Sequence, residues 1–266
     1  MTGPTDNPYT HGHHDSVLRS HRWRTVENSA AYLIPWLRPG ARILDVGCGP
    51  GTITADLARR VAPGQVIGVD RAPAAVAAAE PMTGEDNLTF RTGDVYTLDV
   101  GAQFDVVHAH QVLQHLADPV AALVEMRRVC ATDGVVGVRE SDYRGMVWYP
   151  EEPALDRWMD LYQAVARVNG GEPDAGRRLY AWARAAGFSE VTPSASMWCY
   201  ATPADRGWWA DLWADRLTES AIGEQAQALG IATTEDLREM AAGWRRWAAH
   251  DDAWFAVPHG EVLGRP

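Results

Sequence analysis

The chain has 266 residues, with 24 basic and 35 acidic side chains, so its formal charge is −11. This length is sufficient for a substantial core. An acidic surface repels nucleic acid phosphates and anionic lipids, so a nucleic acid or membrane partner is disfavoured. Every basic residue is an arginine, which excludes Schiff-base and other lysine nucleophile chemistry.

The cysteines and the N-terminus indicate the compartment. Three cysteines lie far apart and form no C-x-x-C pair, so a reducing environment is expected rather than a disulfide framework. The N-terminus lacks the basic and apolar regions of a signal peptide. No apolar run reaches membrane-spanning length. We therefore expect a cytoplasmic protein.

The first half of the chain alternates between strand and helix patterns. Residues 1–14 predict a flexible arm, and a helical pattern then continues to "RPG" at 38–40. After it, short apolar strands alternate with helical segments; the strands are 42–46, 66–70, a third beginning at "LTF", 104–110 and 135–140. Because these strands are unbroken apolar runs, we expect a parallel sheet covered on both faces.

The second half is predicted to complete the sheet and to cap it. Residues 141–187 and 203–250 have a mostly helical pattern. Strand character returns around "GFSEVTPSASMWCYA" and again in "AWFAVPHGEVLG". The two late strands are expected to join the same sheet, with the two helical segments covering one end of it.

The stretch "ILDVGCGPGTIT" at 43–54 predicts a nucleoside-binding turn. A dinucleotide fingerprint, G-x-G-x-x-G, requires a third glycine where this chain has Thr52. The glycines are instead Gly47, Gly49 and Gly51, and the strand before them ends in the acid Asp45. An acid here would repel a diphosphate and suit a ligand that has an ammonium group. A nucleotide-linked oxidoreductase is therefore disfavoured.

Four motifs resemble one family. "ILDVGCGPG", "VIGVD", "TGDVYTL" and "FDVVHAHQVLQHL" occur in the order and at the spacing of the class I S-adenosylmethionine (SAM)-dependent methyltransferases. The resemblance covers residues 41–140 and is closest to the small-molecule enzymes related to ubiquinone and menaquinone biosynthesis. It implies an α/β, Rossmann-like fold with a mostly parallel seven-stranded sheet, helices on both faces and helical cap insertions. The implied domain spans 1–266, with an N-terminal lid or helix (1–39), a SAM-binding core (40–140) and cap segments (141–187 and 203–250).

The resemblance also implies which residues bind SAM and its product, S-adenosylhomocysteine. Asp70 would accept both ribose hydroxyls, Asp94 would bind the adenine amino group, and the backbone N–H of Val95 would bind the ring. Residues after the fourth strand would line the methionine end. The complete implied set is Arg24, Asp45, Gly47, Cys48, Gly49, Asp70, Arg71, Gly93, Asp94, Val95, His110, Gln111 and His115.

The N-terminal segment "YTHGHHDS" groups three histidines with an aspartate. Magnesium prefers carboxylate oxygens, and zinc requires ligands held in fixed geometry, so no metal is expected on this arm. We favour a lid in which His11, His14, His21 or Arg24 contacts the methionine carboxylate or the substrate; a solvated arm is the alternative. Arg24 suits a carboxylate best, because its guanidinium binds bidentately.

Three residues are candidates for a general base. They are, in order, His110, His14 and Tyr143. His110 ends the fourth strand, at the ligand-binding edge of a parallel sheet, although a structural histidine fits that place equally well. The side chain of His108 is expected to point the other way.

The chain has 12 tryptophans, most of them beyond residue 147. Each one taken singly is more readily a core residue. Together they predict a flat, apolar pocket for a planar or prenylated substrate, where a cationic nitrogen could also stack. The candidate substrate contacts are Asp142, Tyr143, Trp148, Trp198 and Tyr200.

The function predicted from these observations is methyl transfer to a small aromatic or polycyclic metabolite. The motif "HAHQ" replaces the N/D-P-P-Y of enzymes that methylate nucleobases or glutamine, which argues against polymer substrates. A non-catalytic SAM-binding subunit and SAM chemistry other than methyl transfer are the alternatives. Oxygen, nitrogen, carbon and sulfur acceptors are all left open, as is a homodimer.

Overall fold

The computed structural model describes residues 20–82, 84–101 and 103–266. Within them, eight strands form one sheet: β1 Ile43–Val46, β2 Val66–Asp70, β3 Leu88–Thr92, β4 Phe104–His110, β5 Cys130–Ser141, β6 Val147–Tyr149, β7 Glu190–Tyr200 and β8 Trp254–Arg265. Strands β1 to β5 are parallel in the order β3-β2-β1-β4-β5. β8 runs antiparallel to β5, and β7 pairs along its other edge.

The helices that lie wholly within this part of the chain are α1 Val26–Ser29, α2 Thr52–Val61, α3 Pro73–Ala79, α4 Pro119–Val129, α5 Pro153–Val168, α6 Leu179–Ala185, α7 Pro203–Glu219, α8 Ala221–Ala228 and α9 Thr234–Ala248. Short 3₁₀ turns lie at Ala31–Trp36, Glu80–Met82, Leu113–His115, Tyr143–Gly145 and Gly176–Arg178. Polar caps fix the helix starts. Asp118 accepts from the N–H of Ala121 before α4, and Thr202 caps α7 in the same way.

The predicted Rossmann-like fold is confirmed, including the two late strands that complete the sheet. The structure adds one short strand, β6, inside a segment predicted to be mostly helical. β5 pairs with β8 only as far as Ser141, opposite His259. After a 3₁₀ turn, β6 takes over the same edge of β8, beginning with Val147 opposite Ala256. Three residues are too few for a sequence pattern, so this strand depends on the pairing edge that β8 offers.

The N-terminal helix differs from the prediction of a continuous helix through Leu37. α1 ends at Ser29, and the chain continues from Ala30 as a 3₁₀ helix that contains Pro35. Proline has no N–H to donate and disfavours α geometry in the residue before it, so an α-helix is not expected to continue through Pro35. The part of the predicted helix before residue 20 lies outside the described residues.

Successive residues of a central strand pack on opposite faces of the sheet. Ile43 belongs to a cluster with the N-terminal segment and α2, whereas Leu44 belongs to a cluster with α4 and α6. This alternation is the period of a strand covered on both faces. The predicted two-sided covering is therefore present.

The cap is a third cluster, formed by α5, α7, α8 and α9 over β7 and β8. Its centre is aromatic: the ring of Trp158 lies 4.6 Å from that of Trp213 and 4.8 Å from that of Trp244. These three tryptophans are fully buried. Most of the tryptophan excess therefore builds the cap core, since large rings bury the most apolar area per side chain.

Among residues 20–82, 84–101 and 103–266, no helix is both long enough and apolar enough to span a membrane.

Candidate active site

A cavity of about 950 Å³ lies at the carboxyl ends of the parallel strands and extends beneath the cap. This volume is near the upper end of about 300–1,000 Å³ for ligand sites, so two small molecules fit together. The predicted residues on its wall are Arg24, Asp45, Gly47, Cys48, Gly49, Asp70, Arg71, Gly93, Asp94, Val95, His110, Gln111, His115, Tyr143 and Trp198. His21 lies there as well.

The glycine turn is tight because it passes beneath the loop that follows β4. Gly47, Gly49 and Gly51 all have positive φ, at 71°, 53° and 79°. A Cβ on Gly47 would lie 2.3 Å from a methyl carbon of Val112. Only glycine tolerates both the left-handed backbone and this close approach. The turn thereby forms one wall of the cavity.

Asp70 ends β2 and is held in position by backbone donors. Its carboxylate accepts from the N–H of Gly49 and from the N–H of Ala72, both at 3.0 Å. An ionised carboxylate accepts about four hydrogen bonds, so it can also bind ligand hydroxyls. Asp94 lies on the neighbouring turn after β3, where it accepts from the N–H of Tyr96 at 2.9 Å. Both acids line the cavity at one end.

Asp45 is not a free carboxylate that could pair with the ammonium group of a ligand, because both of its oxygens have partners within the protein. One carboxylate oxygen is 2.7 Å from Nδ1 of His108, and the other accepts from the hydroxyl of Thr54 at 2.6 Å. Asp45 and His108 are paired in register on β1 and β4, so their side chains lie on the same face. The acid is buried. Its main contacts therefore hold the strands together beneath the turn, and His108 is structural.

A chain of hydrogen bonds orients the residues after β4. Arg24 donates to Oε1 of Gln111 at 2.6 Å, and Nε2 of Gln111 is 2.9 Å from Nε2 of His259. Nδ1 of His259 is 3.0 Å from the carbonyl oxygen of Val257. A carbonyl can only accept, so Nδ1 carries the proton and Nε2 accepts from Gln111. This relay fixes the amide of Gln111, whose φ of 55° is the only positive value among the described non-glycine residues.

Glu140, at the end of β5, anchors the same loop. Its carboxylate accepts from the N–H groups of Val112, Leu113 and Gln114 at 2.8, 2.8 and 3.3 Å. Burial raises the pKa of Glu140 to about 7, although the three N–H donors act in the opposite direction. The sequence analysis missed Glu140 and His259, because each acts on residues distant along the chain.

The raised pKa of Glu140 predicts a pH dependence of stability. Its stabilising contribution is complete below its ordinary pKa of 4.5 and is lost as the pH rises through about 7. Glutamine does not ionise, so the Glu140→Gln variant does not lose this stability as the pH rises. We therefore expect the free energy of unfolding of the variant, relative to wild type, to rise by about 2–3 kcal/mol between pH 5 and pH 8. Urea denaturation across this range measures it.

Other buried groups change the stability with pH in the opposite direction, but wild type and the Glu140→Gln variant share them. The folded-state pKa values of His110, His115 and His259 are lowered, so their contribution is present above pH 6.5 and is lost as the pH falls. The histidine contributions therefore cancel when the free energy of unfolding of wild type is subtracted from that of Glu140→Gln. The matched control is Glu151→Gln at an exposed site, which should run parallel to wild type. A Glu140→Gln curve parallel to wild type would contradict the assignment.

Two histidines line the cavity and are neutral. Burial, followed by the charges of Arg24 and Arg139, lowers the pKa of His110. Burial lowers the pKa of His115 to about 4. Neither ring nitrogen of His110 has a hydrogen-bond partner among the described residues. Nε2 of His115 is 3.1 Å from Nε2 of Gln114, which orients that ring. Neutral imidazoles retain a nitrogen that can accept a proton.

Tyr143 and Trp198 bring aromatic surface to the cap end of the cavity. The ring of Tyr143 stacks on Tyr162 at 3.8 Å. Trp198 donates its indole N–H to the carbonyl of Asn28 at 2.5 Å, which ties the N-terminal segment to β7. Both rings are therefore held rigidly where they meet the cavity.

Three predicted substrate contacts do not line the cavity. The carboxylate of Asp142 binds the guanidinium of Arg177 at 2.7 and 2.5 Å. Trp148 stacks on Phe255 at 5.6 Å, and the buried Tyr200 stacks on a neighbouring cap tryptophan at 4.4 Å. Ion pairing and cap packing thus engage these side chains, and their contact with a substrate stays a prediction. His14, together with His11 and His13, lies outside the described residues.

The cap contributes cavity residues that the sequence analysis did not select. Trp209 and Arg216 come from α7, and Met146 from the turn before β6. Gln114 and Ser141 join them, with the hydroxyl of Ser141 donating to Oε1 of Gln114 at 2.6 Å. A helical spacing shows that α7 has a buried face, but it does not show which buried residues meet a cavity.

The sheet order, the glycine turn and the acid at the end of β2 are together typical of a Rossmann-like nucleoside-binding protein. Residues 37–187 match the family described as a methyltransferase domain. An uncharacterized methyltransferase of Schizosaccharomyces pombe is 37% identical, over 99% of this chain and 98% of that protein. The probable methyltransferase ltbC of Aspergillus luteorubrus is 29% identical, over 98% of each.

A solved structure shows the same fold. It is phosphoethanolamine N-methyltransferase 2 of Haemonchus contortus in complex with SAM, with a TM-score of 0.53 and 17% identity over 86% of this chain and 49% of that one. The chain therefore belongs to the class I SAM-dependent methyltransferases, with SAM as its cofactor. Asp70 and the glycine turn fit that ligand, because they offer hydroxyl acceptors and a close backbone approach without a phosphate cradle.

Proposed function

We propose that this enzyme methylates a small, planar aromatic metabolite bound beneath the cap. The observation that carries the proposal is the continuity of the cavity. It joins the acids and glycines of the cofactor end to the rings of Tyr143, Trp198 and Trp209. Flat rings held in fixed positions complement a planar ligand and exclude water.

The cofactor contacts proposed from the family resemblance are consistent with this placement. Asp70 would bind the ribose, and Asp94 with Val95 the adenine. Arg24, oriented by Gln111, would bind the methionine carboxylate, for which a guanidinium is well shaped. Gly93 supports the arrangement, since its N–H donates to the carbonyl of Asp70 at 3.0 Å.

When bound, SAM supplies a methyl group already activated by the sulfonium. The chain's own residues then have to orient the acceptor and exclude water. His110 is the first candidate to accept a proton from the acceptor, because it lines the cavity as a neutral imidazole, although its lowered pKa makes it a weaker base than a free histidine. Tyr143 is the second candidate within the described residues.

The test is a mass-spectrometric screen with methyl-labelled SAM. Indoles, phenols, quinols, aromatic acids and aromatic amines are offered in parallel, with and without EDTA. We expect label on at least one aromatic acceptor. Tight SAM binding without transfer to any compound would instead favour a non-catalytic subunit or a different use of SAM.

A further inference from the structure

His259 lies on β8, behind the wall of the cavity. β8 is held between two strands, with His259 opposite Ser141 of β5 and Ser196 of β7. Its imidazole is buried, and its ring centre lies 4.3 Å from that of Trp198. His259 does not line the cavity itself, whereas Gln111, to which it is hydrogen-bonded, does. A residue on a strand paired on both sides is held more precisely than a loop residue, so His259 can fix the position of its partner.

The amide of Gln111 can be oriented in only one way. A guanidinium has N–H donors and no acceptor, so the atom 2.6 Å from Nη2 of Arg24 must be the amide oxygen. The amide nitrogen therefore faces Nε2 of His259 at 2.9 Å and donates to it. For this bond Nε2 has to be unprotonated, and the carbonyl of Val257 holds the proton of the ring at Nδ1. Each donor in this chain of hydrogen bonds thus meets an acceptor.

His259 is neutral, as an acceptor at Nε2 has to be. Burial, followed by the charge of Arg139, lowers the pKa of its imidazole, whereas the bond to the Val257 carbonyl acts in the opposite direction. Arg139 is the neighbouring cation on β5, and it is itself paired with Glu261 at 3.2 Å. A neutral imidazole keeps a lone pair on one ring nitrogen, so at neutral pH His259 can accept the amide N–H.

Gln111 adopts a backbone conformation that its surroundings have to stabilise. Its φ of 55° lies in the left-handed region, which is unfavourable for a residue that has a Cβ. Its backbone N–H donates to the carbonyl of Arg139 at 2.8 Å, and its amide is bound at one end by Arg24 and at the other by His259. Such conformations persist only where the surroundings fix them, and they cluster at functional sites. Removing the acceptor on His259 would leave the amide nitrogen without this partner and allow the side chain to rotate.

We infer that His259 is a positioning residue for the methionine end of SAM and that it acts through Gln111. With its nitrogen held by His259, the amide presents its oxygen to Arg24 and directs that guanidinium toward the methionine carboxylate. Arg24 has other partners as well, so the amide determines the direction of the guanidinium and is not its only contact. The inference rests on the cofactor contacts given under the proposed function and is independent of the identity of the methyl acceptor.

The first arm of the test compares two ligands that differ at the methionine end. S-adenosylhomocysteine has the amino acid group, whereas 5′-methylthioadenosine keeps the adenine, ribose and sulfur but lacks that group. Isothermal titration calorimetry measures each Kd, and competition with S-adenosylhomocysteine extends the range to weak methylthioadenosine binding. His259→Phe keeps a ring against Trp198 but has no acceptor. It should weaken S-adenosylhomocysteine binding about tenfold and methylthioadenosine binding less than about twofold. Equal weakening of both ligands would overturn the proposal, because it would show only a structural role.

The second arm is a double-mutant cycle that shows whether His259 acts through Gln111. In a Gln111→Ala background, His259→Phe should change the affinity for S-adenosylhomocysteine by less than about twofold, because the side chain that His259 positions is gone. A loss of about tenfold that persists in this background would mean that His259 acts by another route, and it would overturn the proposal.

The matched control is Trp247→Phe. Trp247 is also fully buried, and its indole N–H donates to the carbonyl of Tyr149 at 3.1 Å, away from the cavity. The control therefore loses one buried hydrogen bond of a ring, as His259→Phe does. It should leave the ratio of the two Kd values unchanged, and a lowered ratio here would contradict a specific role of His259.

The inference and the proposed function fail differently. Arg24→Ala should lower the preference for S-adenosylhomocysteine over methylthioadenosine at least as much as His259→Phe. An unchanged preference in Arg24→Ala would overturn the proposed contact of Arg24 with the methionine carboxylate. A preference lowered in Arg24→Ala but not in His259→Phe would overturn only the role of His259. Neither ligand is a methyl acceptor, so these titrations do not depend on whether an aromatic compound is methylated.

Discussion

Asp70→Ala is expected to weaken SAM binding by about 1.5–3 kcal/mol, the scale of a lost charge-assisted hydrogen bond. The carboxylate receives the N–H groups of Gly49 and Ala72, so the substitution also removes a support of the glycine turn. Asp70→Asn should lose less, because its amide retains one acceptor oxygen. Isothermal titration calorimetry with SAM measures both variants.

The control for Asp70 is Asp99→Ala. Asp99 is exposed and does not line the cavity, so SAM affinity should not change. Thermal unfolding of each variant without ligand separates lost binding from lost folding. Unchanged affinity in a folded Asp70→Ala protein would show that this acid does not bind the ribose.

Gly47→Ala is expected to lower the free energy of unfolding by more than about 3 kcal/mol and to weaken SAM binding at least about tenfold. The left-handed backbone, with φ of 71°, costs an L-residue about 1–2 kcal/mol. The added Cβ would also overlap a methyl group of Val112 at 2.3 Å, so the loop after β4 must move. The glycine turn and the loop after β4, which both line the cofactor end of the cavity, would shift together.

Gly40→Ala separates these two effects. Gly40 has φ of 89°, but no heavy atom lies within 4 Å of the position of an added Cβ. The free energy of unfolding of this variant should therefore fall only by the backbone contribution of about 1–2 kcal/mol, and its SAM affinity should equal that of wild type. Urea denaturation and SAM titration compare the two. Equal losses in both variants would mean that contact with Val112 does not hold the turn.

Much of the fold was predictable from local patterns. β2 and β4 begin and end at the predicted residues, because short apolar runs specify short buried strands. The apolar face of α5, which contains Leu155, Trp158 and Tyr162, is buried, as residues at helical spacing are expected to be. By contrast, the apolar spacing predicted one continuous helix, whereas the chain leaves α geometry at Ala30 and continues as a 3₁₀ helix that contains Pro35. The spacing of apolar residues carries no information about the backbone N–H that a proline lacks.

Residues that directly follow a strand were predictable as residues of the cavity wall. Asp70, Asp94 and His110 reach the cavity because the ends of parallel strands share one edge. Asp142 and Tyr200 were selected by the same reasoning but do not line the cavity. Asp142 follows β5 at that edge, but Arg177 binds its carboxylate. Tyr200 ends β7, but cap rings pack around it. A position at the carboxyl-terminal edge of the sheet fixes where the backbone lies. Partners elsewhere in the protein, such as Arg177 and the cap rings, then determine where the side chain points.

The sequence by itself determined the order of strands and helices, the phosphate-free glycine turn and the cofactor class, because each depends on residues close together along the chain. The tertiary structure decided the partners of the buried charges. Asp45 meets His108 through strand register, Gln111 meets His259 across the sheet, and Arg216 reaches the cavity from the cap. Such pairings form between segments 60 or more residues apart, and their strength comes from exclusion of water, which only the packed chain provides.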